Sequence, residues 1–193
     1  MSARLHRHSV ERVGDPLDVV ATRAARGDQA AFAELVESTQ ASIWRMCAYL
    51  VDRNAADDLT QETYLRAFRA LAGYRGDARV STWLLTISRR VCAAEIDRRS
   101  RAREMYLLTV PREQHLHDQS SVVDMDLLIA GLDDDRRTAF VLTQVVGCDY
   151  AEAAEICGCP IGTIRSRVAR ARADLVAALG QRTELPATRP IGS

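Results

Sequence analysis

GTIRSRVARAR, residues Gly162 to Arg172, puts four arginines into eight positions of a chain whose 26 bases and 26 acids cancel. Every one of those bases is arginine, so their placement carries the information that their number does not. Projected at about 100° per residue with Ile164 at zero, Val168, Ala171 and Leu175 fall within about 40° of it and define an apolar stripe. Ser166, Ala169, Arg170 and Ala173 point away, between about 140° and 240°. Arg165 and Arg172 flank one side and Arg167 the other. The alanines keep the outer face shallow, and an arginine can bond both acceptors of a guanine edge. Such a face suits a helix lying in a DNA major groove. Arg165, Ser166 and Arg170 then sit toward the bases, with Arg167 and Arg172 toward phosphates or an acidic neighbouring helix.

The residues before this stretch complete a motif. Asp149 and Glu152 form a capping box for a short helix over DYAEAAEIC, which Gly158 ends. Pro160 opens the next helix, expected to run to about Leu179 with Gly180 as its stop. A short capped helix, a glycine turn and a longer helix follow the plan of a helix-turn-helix. Three acids, Asp149, Glu152 and Glu155, belong to the supporting helix, while the arginines belong to the second. Further upstream, Asp133 to Asp135 suit the positive end of a helix carrying Ala139, Val141, Leu142 and Val145, with Gly147 as its stop.

The first half of the chain is also helical in pattern, and no strand pattern stands out. Phe32, Leu35, Val36, Ile43, Met46 and Leu50 recur at helical spacing, which predicts one long helix from Gln29 to Leu50. Asn54, with Asp57 three residues on, is the expected cap of a second helix with the apolar stripe Leu65, Phe68 and Leu71. Gly73 and Gly76 interrupt it. Ser81 is the expected cap of a third, whose buried face carries Trp83, Leu84, Ile87 and Val91. From Met105 the periodicity fades, and Pro111 with two histidines marks a linker. The fold class is therefore all-α: two small helical domains, 17–104 and 123–180, joined by a flexible linker, 105–122, between disordered tails, 1–16 and 181–193.

Composition narrows the function. With 193 residues and 47% hydrophobic content, the chain can build one domain or two small ones, and at 5% aromatics its cores rest on aliphatic side chains. The polar, basic N-terminus has no apolar signal core, and no run approaches the roughly 20 apolar residues of a membrane span, so a cytoplasmic protein without membrane insertion is expected. The five cysteines, Cys47, Cys92, Cys148, Cys157 and Cys159, are odd in number and scattered, which predicts reduced thiols. Cys148, Cys157 and Cys159 lack the fourth ligand and paired spacing of a zinc site, so neither metal nor cofactor is expected. His6, His8, His115 and His117 all fall in a tail or the linker. With no phosphate-binding glycine loop and no nucleophile–base pair, an enzyme is not expected.

Two further charge runs matter. Asp52 to Glu62 holds four acids against Arg53, whereas Arg89 to Arg103 holds six arginines against Glu95 and Asp97. The first suits a basic protein partner and the second suits phosphate.

Together, DDLTQETYLRAFRAL (Asp57 to Leu71), YRGDARVSTWLLTISRR (Tyr74 to Arg90) and GTIRSRVARAR resemble regions 2 and 4 of bacterial sigma factors of the extracytoplasmic-function group, in the right order and over about Gly27 to Leu179. The resemblance implies a transcription initiation factor that binds core RNA polymerase and directs it to promoter DNA. Asp57, Asp58, Leu59, Gln61 and Glu62 match the motif that docks on the beta-prime coiled coil. Arg165, Ser166, Arg167 and Arg170 match the reader of the −35 element. The remaining surface of the second domain is implied to meet the beta flap, and an anti-sigma protein is a further partner that the resemblance allows. The −10 element would be melted beside the Tyr74 to Trp83 loop and the following helix, which puts Arg75, Arg89, Arg90, Arg98 and Arg99 near DNA. Here the sequence departs from many members, with Arg90 in place of Asn and Ala94 in place of Asp, so a different −10 sequence is expected. Trp83 is expected in the core rather than as a base-stacking surface. The linker, with Asp118, would occupy the active-site cleft and RNA exit path.

The alternative is a helix-turn-helix regulator that binds DNA without polymerase, often as a dimer on a palindrome. The acidic helix beginning at Asp57 separates the two readings, because a simple regulator has no need of it.

Overall fold

The computed structural model describes residues 15–109 and 125–183. Asp15 caps α1 (Pro16–Ala25) by accepting the Leu17 N–H at 3.0 Å, and proline at the first position forfeits no helical bond. No helix is expected from the sequence before Gln29, and this one buries only Val20, Ala21 and Ala24. Gly27 then turns the chain in the left-handed region, at φ 95°, into Asp28, the cap of α2 (Gln29–Leu50). That helix has the bounds its periodicity predicts.

Two caps differ from expectation. α3 (Ala56–Ala70) is preceded by Ala55, not capped by Asn54, because Asp52 already accepts the Ala55 N–H at 2.9 Å. α4 begins at Val80, so Ser81 lies inside its first turn, and the Val80 N–H is taken by Asp18 of α1 at 2.8 Å. α4 (Val80–Thr109) also runs on through residues 105–109, the start of the stretch read as linker. The rest of that stretch, with Asp118 and His115 and His117, lies outside the described residues, as do residues 1–14 and 184–193.

The first unit packs α1, α2, α3 and α4 around Leu35, Ile43, Met46 and Leu84, all fully buried. Thr39 and Tyr64 share a hydrogen bond at 2.7 Å inside it. Cys92 donates to Cys47 at 3.7 Å, and Ser88 lies 3.5 Å from Cys47. That thiol contact, together with burial, pushes the Cys92 thiol up. All five cysteines are free. Trp83 is half-buried and tilts against Tyr74 at 5.3 Å, in keeping with a packing role. Of the stripe expected here, Leu71 is buried, but Leu65 and Phe68 are exposed, and Leu59, Thr63, Tyr64 and Ala67 face the core instead.

The second unit comprises α5 (Met125–Ala130), α6 (Asp134–Phe140), a wider π-helical continuation (Val141–Val146), α7 (Tyr150–Cys157) and α8 (Ile161–Thr183). Gly147 at φ 90° and Gly158 at φ 65° are the left-handed stops expected of them. Gly180 is not a stop. The helix passes through it to Thr183, since an interior glycine costs only about 1 kcal/mol. Ile164, Val168, Ala171 and Leu175 are buried, as the projection of α8 predicts, against a core that includes Leu142 and Ile156. No strand occurs among the described residues, so the all-α class holds. The two units touch, with α4 against α7 and α2 against the π-helical segment.

Candidate nucleic-acid and polymerase interfaces

The recognition face of α8 is built from below. The capping box of α7 is complete: Asp149 accepts the Glu152 N–H at 2.8 Å, and Glu152 accepts the Asp149 N–H at 3.0 Å. This closes the N-terminus of α7, which packs against α8. With its apolar stripe buried, α8 presents Arg165, Ser166 and Arg170 to solvent. Ser166 donates to the Thr163 carbonyl at 2.9 Å, while Arg165 and Arg170 carry no ion pair among the described residues. Arg167 is different. It is half-buried, pairs with Asp135 of α6 and reaches the Cys159 sulfur at 3.8 Å. Arg172 donates to Gln144 at 2.7 Å. Arg165 and Arg170 can therefore meet base edges without first breaking a bond, whereas Arg167 is held at the side of the helix.

The acidic helix α3 forms one wall of a groove of about 770 Å³, with α2 as the other. Phe32, Val36, Trp44, Leu65 and Phe68 supply apolar walls, and Asp57 and Gln61 lie beside them. Phe32 and Phe68 meet edge to face at 5.1 Å. Asp57 accepts the Trp44 indole N–H at 2.8 Å, which orients the ring. Asp58 is exposed in the first turn of α3, and Glu62 pairs with Arg66 at 2.6 Å. Leu59 is buried, so it anchors α3 from within rather than facing a partner. Sequence reasoning named the polar residues of this site and missed Phe32, Trp44, Leu65 and Phe68 as part of it. Their apolar periodicity was visible, but it reads as core unless the facing surface is known to be empty.

The third cluster is divided. Arg75, in the loop after Tyr74, and Arg90, on α4, are exposed with no ion pair among the described residues. Arg98 forks onto Glu95 with two bonds of 2.7 Å, and Arg99 binds Glu95 at 2.6 Å and also pairs with Asp52. The Arg98 guanidinium, with Arg99, holds the Glu95 carboxyl down at about 2. Arg89 is half-buried and donates to the Ile156 carbonyl of α7 at 3.0 Å.

Comparison with known proteins places each helical unit in a known family. Residues 21–102 match the family model of sigma-70 region 2, and residues 123–175 match that of sigma-70 region 4. The ECF RNA polymerase sigma factor SigC of Mycobacterium tuberculosis is 43% identical over 170 residues, covering 84% of this chain and 91% of that protein. The RNA polymerase sigma-H factor of Pseudomonas aeruginosa is 30% identical over 167 residues, covering 78% and 86% respectively. Among solved structures, CnrH in complex with the cytosolic domain of CnrY superposes with a TM-score of 0.68 at 25% identity, covering 86% of this chain and 99% of that one. The sigma factor RpoE of Bartonella quintana, in complex with the anti-sigma factor NepR, gives 0.66 at 27% identity, covering 77% and 96%. The chain belongs to the sigma-70 family of RNA polymerase sigma factors, as a transcription initiation factor of its ECF group.

Proposed function

We propose that this sigma factor uses three separate surfaces in initiation. The α2/α3 groove seats the beta-prime coiled coil of core RNA polymerase. The exposed end of α8 reads the −35 element, with Arg165 and Arg170 on base edges and Arg167 as a positioning contact. The Tyr74 to Trp83 loop and the arginine face of α4 engage the −10 element as it melts. The second unit meets the beta flap, and an anti-sigma protein is a further partner. The factor contributes specificity rather than catalysis and works in the cytoplasm. No helix among the described residues is long and apolar enough to cross a membrane, in keeping with that.

The observation that carries this reading is the open apolar groove with the Asp57 carboxylate at its edge, on the same chain as a helix-turn-helix. An amphipathic basic helix is the complement of such a groove, through burial of the aromatic side chains and charge pairing at the edge. A regulator that binds DNA alone leaves the groove without a use.

The experiment is transcription by purified core polymerase from genomic fragments, with and without the protein. New discrete start sites that share upstream elements are the expected result. DNA binding by the protein alone, with no new start sites, would instead favour the simple regulator.

A further inference from the structure

Behind the polymerase groove, the core of the first unit holds two thiols against each other. Leu84, Ser88 and Cys92 follow at four-residue spacing on the buried face of α4, and Ile43, Cys47 and Leu50 form a buried row on α2, which packs against it. Cys47 and Cys92 are both fully buried. Their sulfurs lie 3.7 Å apart, with the Ser88 hydroxyl 3.5 Å from that of Cys47. Small side chains at this crossing let the two backbones approach, as a bond between the sulfurs requires. The pair joins helices that carry different surfaces, since α2 walls the groove and α4 bears the arginine face.

The two sulfurs are not equivalent. Cys92 donates and Cys47 accepts, which favours the Cys47 thiolate and draws that thiol down against the effect of burial, while Cys92 is pushed up. Cys47 is therefore the nucleophile and Cys92 the resolving thiol. With hydrogen peroxide as oxidant, the Cys47 sulfur attacks one oxygen and the O–O bond breaks. Sulfenic acid forms on Cys47, and the leaving hydroxide takes the Cys47 proton to become water. The Cys92 sulfur then attacks the Cys47 sulfur, the S–O bond breaks, and the hydroxyl leaves as water with the Cys92 proton. Two thiols lose two electrons to one peroxide, which ends as two waters. Thr60, part of the groove lining, lies beside the Cys47 sulfur, so the thiol sits beneath the groove floor. Local opening of α3 against α2 admits an oxidant of this size.

A disulfide is about 2.05 Å long, so the sulfurs must close by roughly 1.7 Å. A close-packed core does not absorb such a shift in place but passes it to the helices. Trp44, one turn from Cys47, and Thr60 both line the groove, and the Trp44 ring is set by its bond to Asp57.

We propose that Cys47 and Cys92 are a peroxide-sensitive dithiol whose disulfide reshapes the α2/α3 groove and weakens docking of core polymerase. The effect on docking rests on the reading of that groove as the polymerase seat. The thiol chemistry is independent of it.

The test uses the full chain, reduced and after treatment with hydrogen peroxide. Cleavage after arginine leaves Cys47 in residues 46–53, Cys92 in residues 91–98 and the other three cysteines together in residues 138–165. Mass spectrometry of the linked peptides therefore reports this bond alone, and an anisotropy titration with core polymerase reads docking. The expected result is linkage of 46–53 to 91–98, with an affinity loss of about tenfold or more that dithiothreitol reverses. C47S, which keeps the other four thiols, should keep its affinity through peroxide treatment. If C47S loses its helical circular dichroism, C92A takes its place. Absence of the linked peptide overturns the dithiol. A linked peptide with unchanged affinity, or an equal loss in the variant, overturns the effect on docking and leaves the functional reading intact. Failure of the reduced wild type to bind core polymerase overturns the functional reading itself.

Discussion

Asp18 accepts the Val80 backbone N–H at 2.8 Å, from 62 residues away, and the Tyr74 hydroxyl at 3.1 Å with the same oxygen. One carboxylate on α1 thus caps α4 and pins the loop that precedes it, the loop assigned to the −10 element. Replacing Asp18 with alanine leaves a part-buried N–H without its acceptor, which costs about 1–3 kcal/mol. The expected outcome is a lower urea midpoint for the first unit. Hydrogen exchange should be faster at Val80 and its neighbours and unchanged in α8. Asp18→Asn, which keeps an acceptor oxygen, should recover part of the loss.

The same bond shows where the sequence was legible and where it was not. The helices over Gln29–Leu50, the Asp149 capping box and the buried stripe of α8 are set by neighbours within a turn or two, so spacing alone revealed them. The cap of α4 is a tertiary choice. Ser81 has the right chemistry, but Asp18 comes from a helix 62 residues away that no local pattern ties to Val80. Two of the three residues of the α3 stripe, Leu65 and Phe68, depart from expectation for a different reason. Leu65 and Phe68 have core chemistry at core spacing, yet no element among the described residues covers them, and an uncovered apolar face is indistinguishable from a covered one in one dimension. The arginines of α8 were found, but the split between exposed Arg170 and tethered Arg167 depends on Asp135, 32 residues away.

Those uncovered side chains give the second prediction. Phe68 is 58% exposed and makes its ring contact with Phe32 at the groove. Phe68→Asp should cost little stability, because the residue is already in water, and should weaken core polymerase binding at least tenfold in a pull-down or anisotropy titration. Asp58→Arg should abolish core binding while the protein stays folded. Leu59→Ala should act differently, by lowering the free energy of unfolding by about 2–5 kcal/mol, as expected for a buried leucine.

A third prediction concerns Glu95, whose carboxyl is lowered from an ordinary 4.5 to about 2 by Arg98 and then Arg99. A lowered folded value means the group stabilises the native state above its unfolded value. That contribution should be complete above about pH 4.5 and lost as pH falls toward 2. A carboxyl-carbon NMR titration of Glu95 checks the midpoint directly. At neutral pH, Glu95→Gln should release Arg98 for phosphate contact, while Arg99 keeps its pair with Asp52. DNA affinity should then rise, with a steeper dependence of log affinity on log salt, by about 1 in slope.

The fourth prediction separates two arginines that the sequence placed together. Arg170 is exposed without an ion pair, on the face of α8 opposite its buried stripe, where a guanine edge would lie. Arg167 is half-buried and already spends its guanidinium on Asp135. Arg170→Ala should cost about 1–3 kcal/mol on the cognate −35 element and much less on a site with that base pair changed, relaxing specificity at one position. Arg167→Ala should weaken all −35 sequences alike, and it should also release Asp135 and loosen α6 against α8. Binding measured over a panel of single-base −35 variants distinguishes the two patterns. An equal loss across the panel for Arg170→Ala would move that residue to the phosphate backbone and leave Arg165 and Ser166 as the base readers.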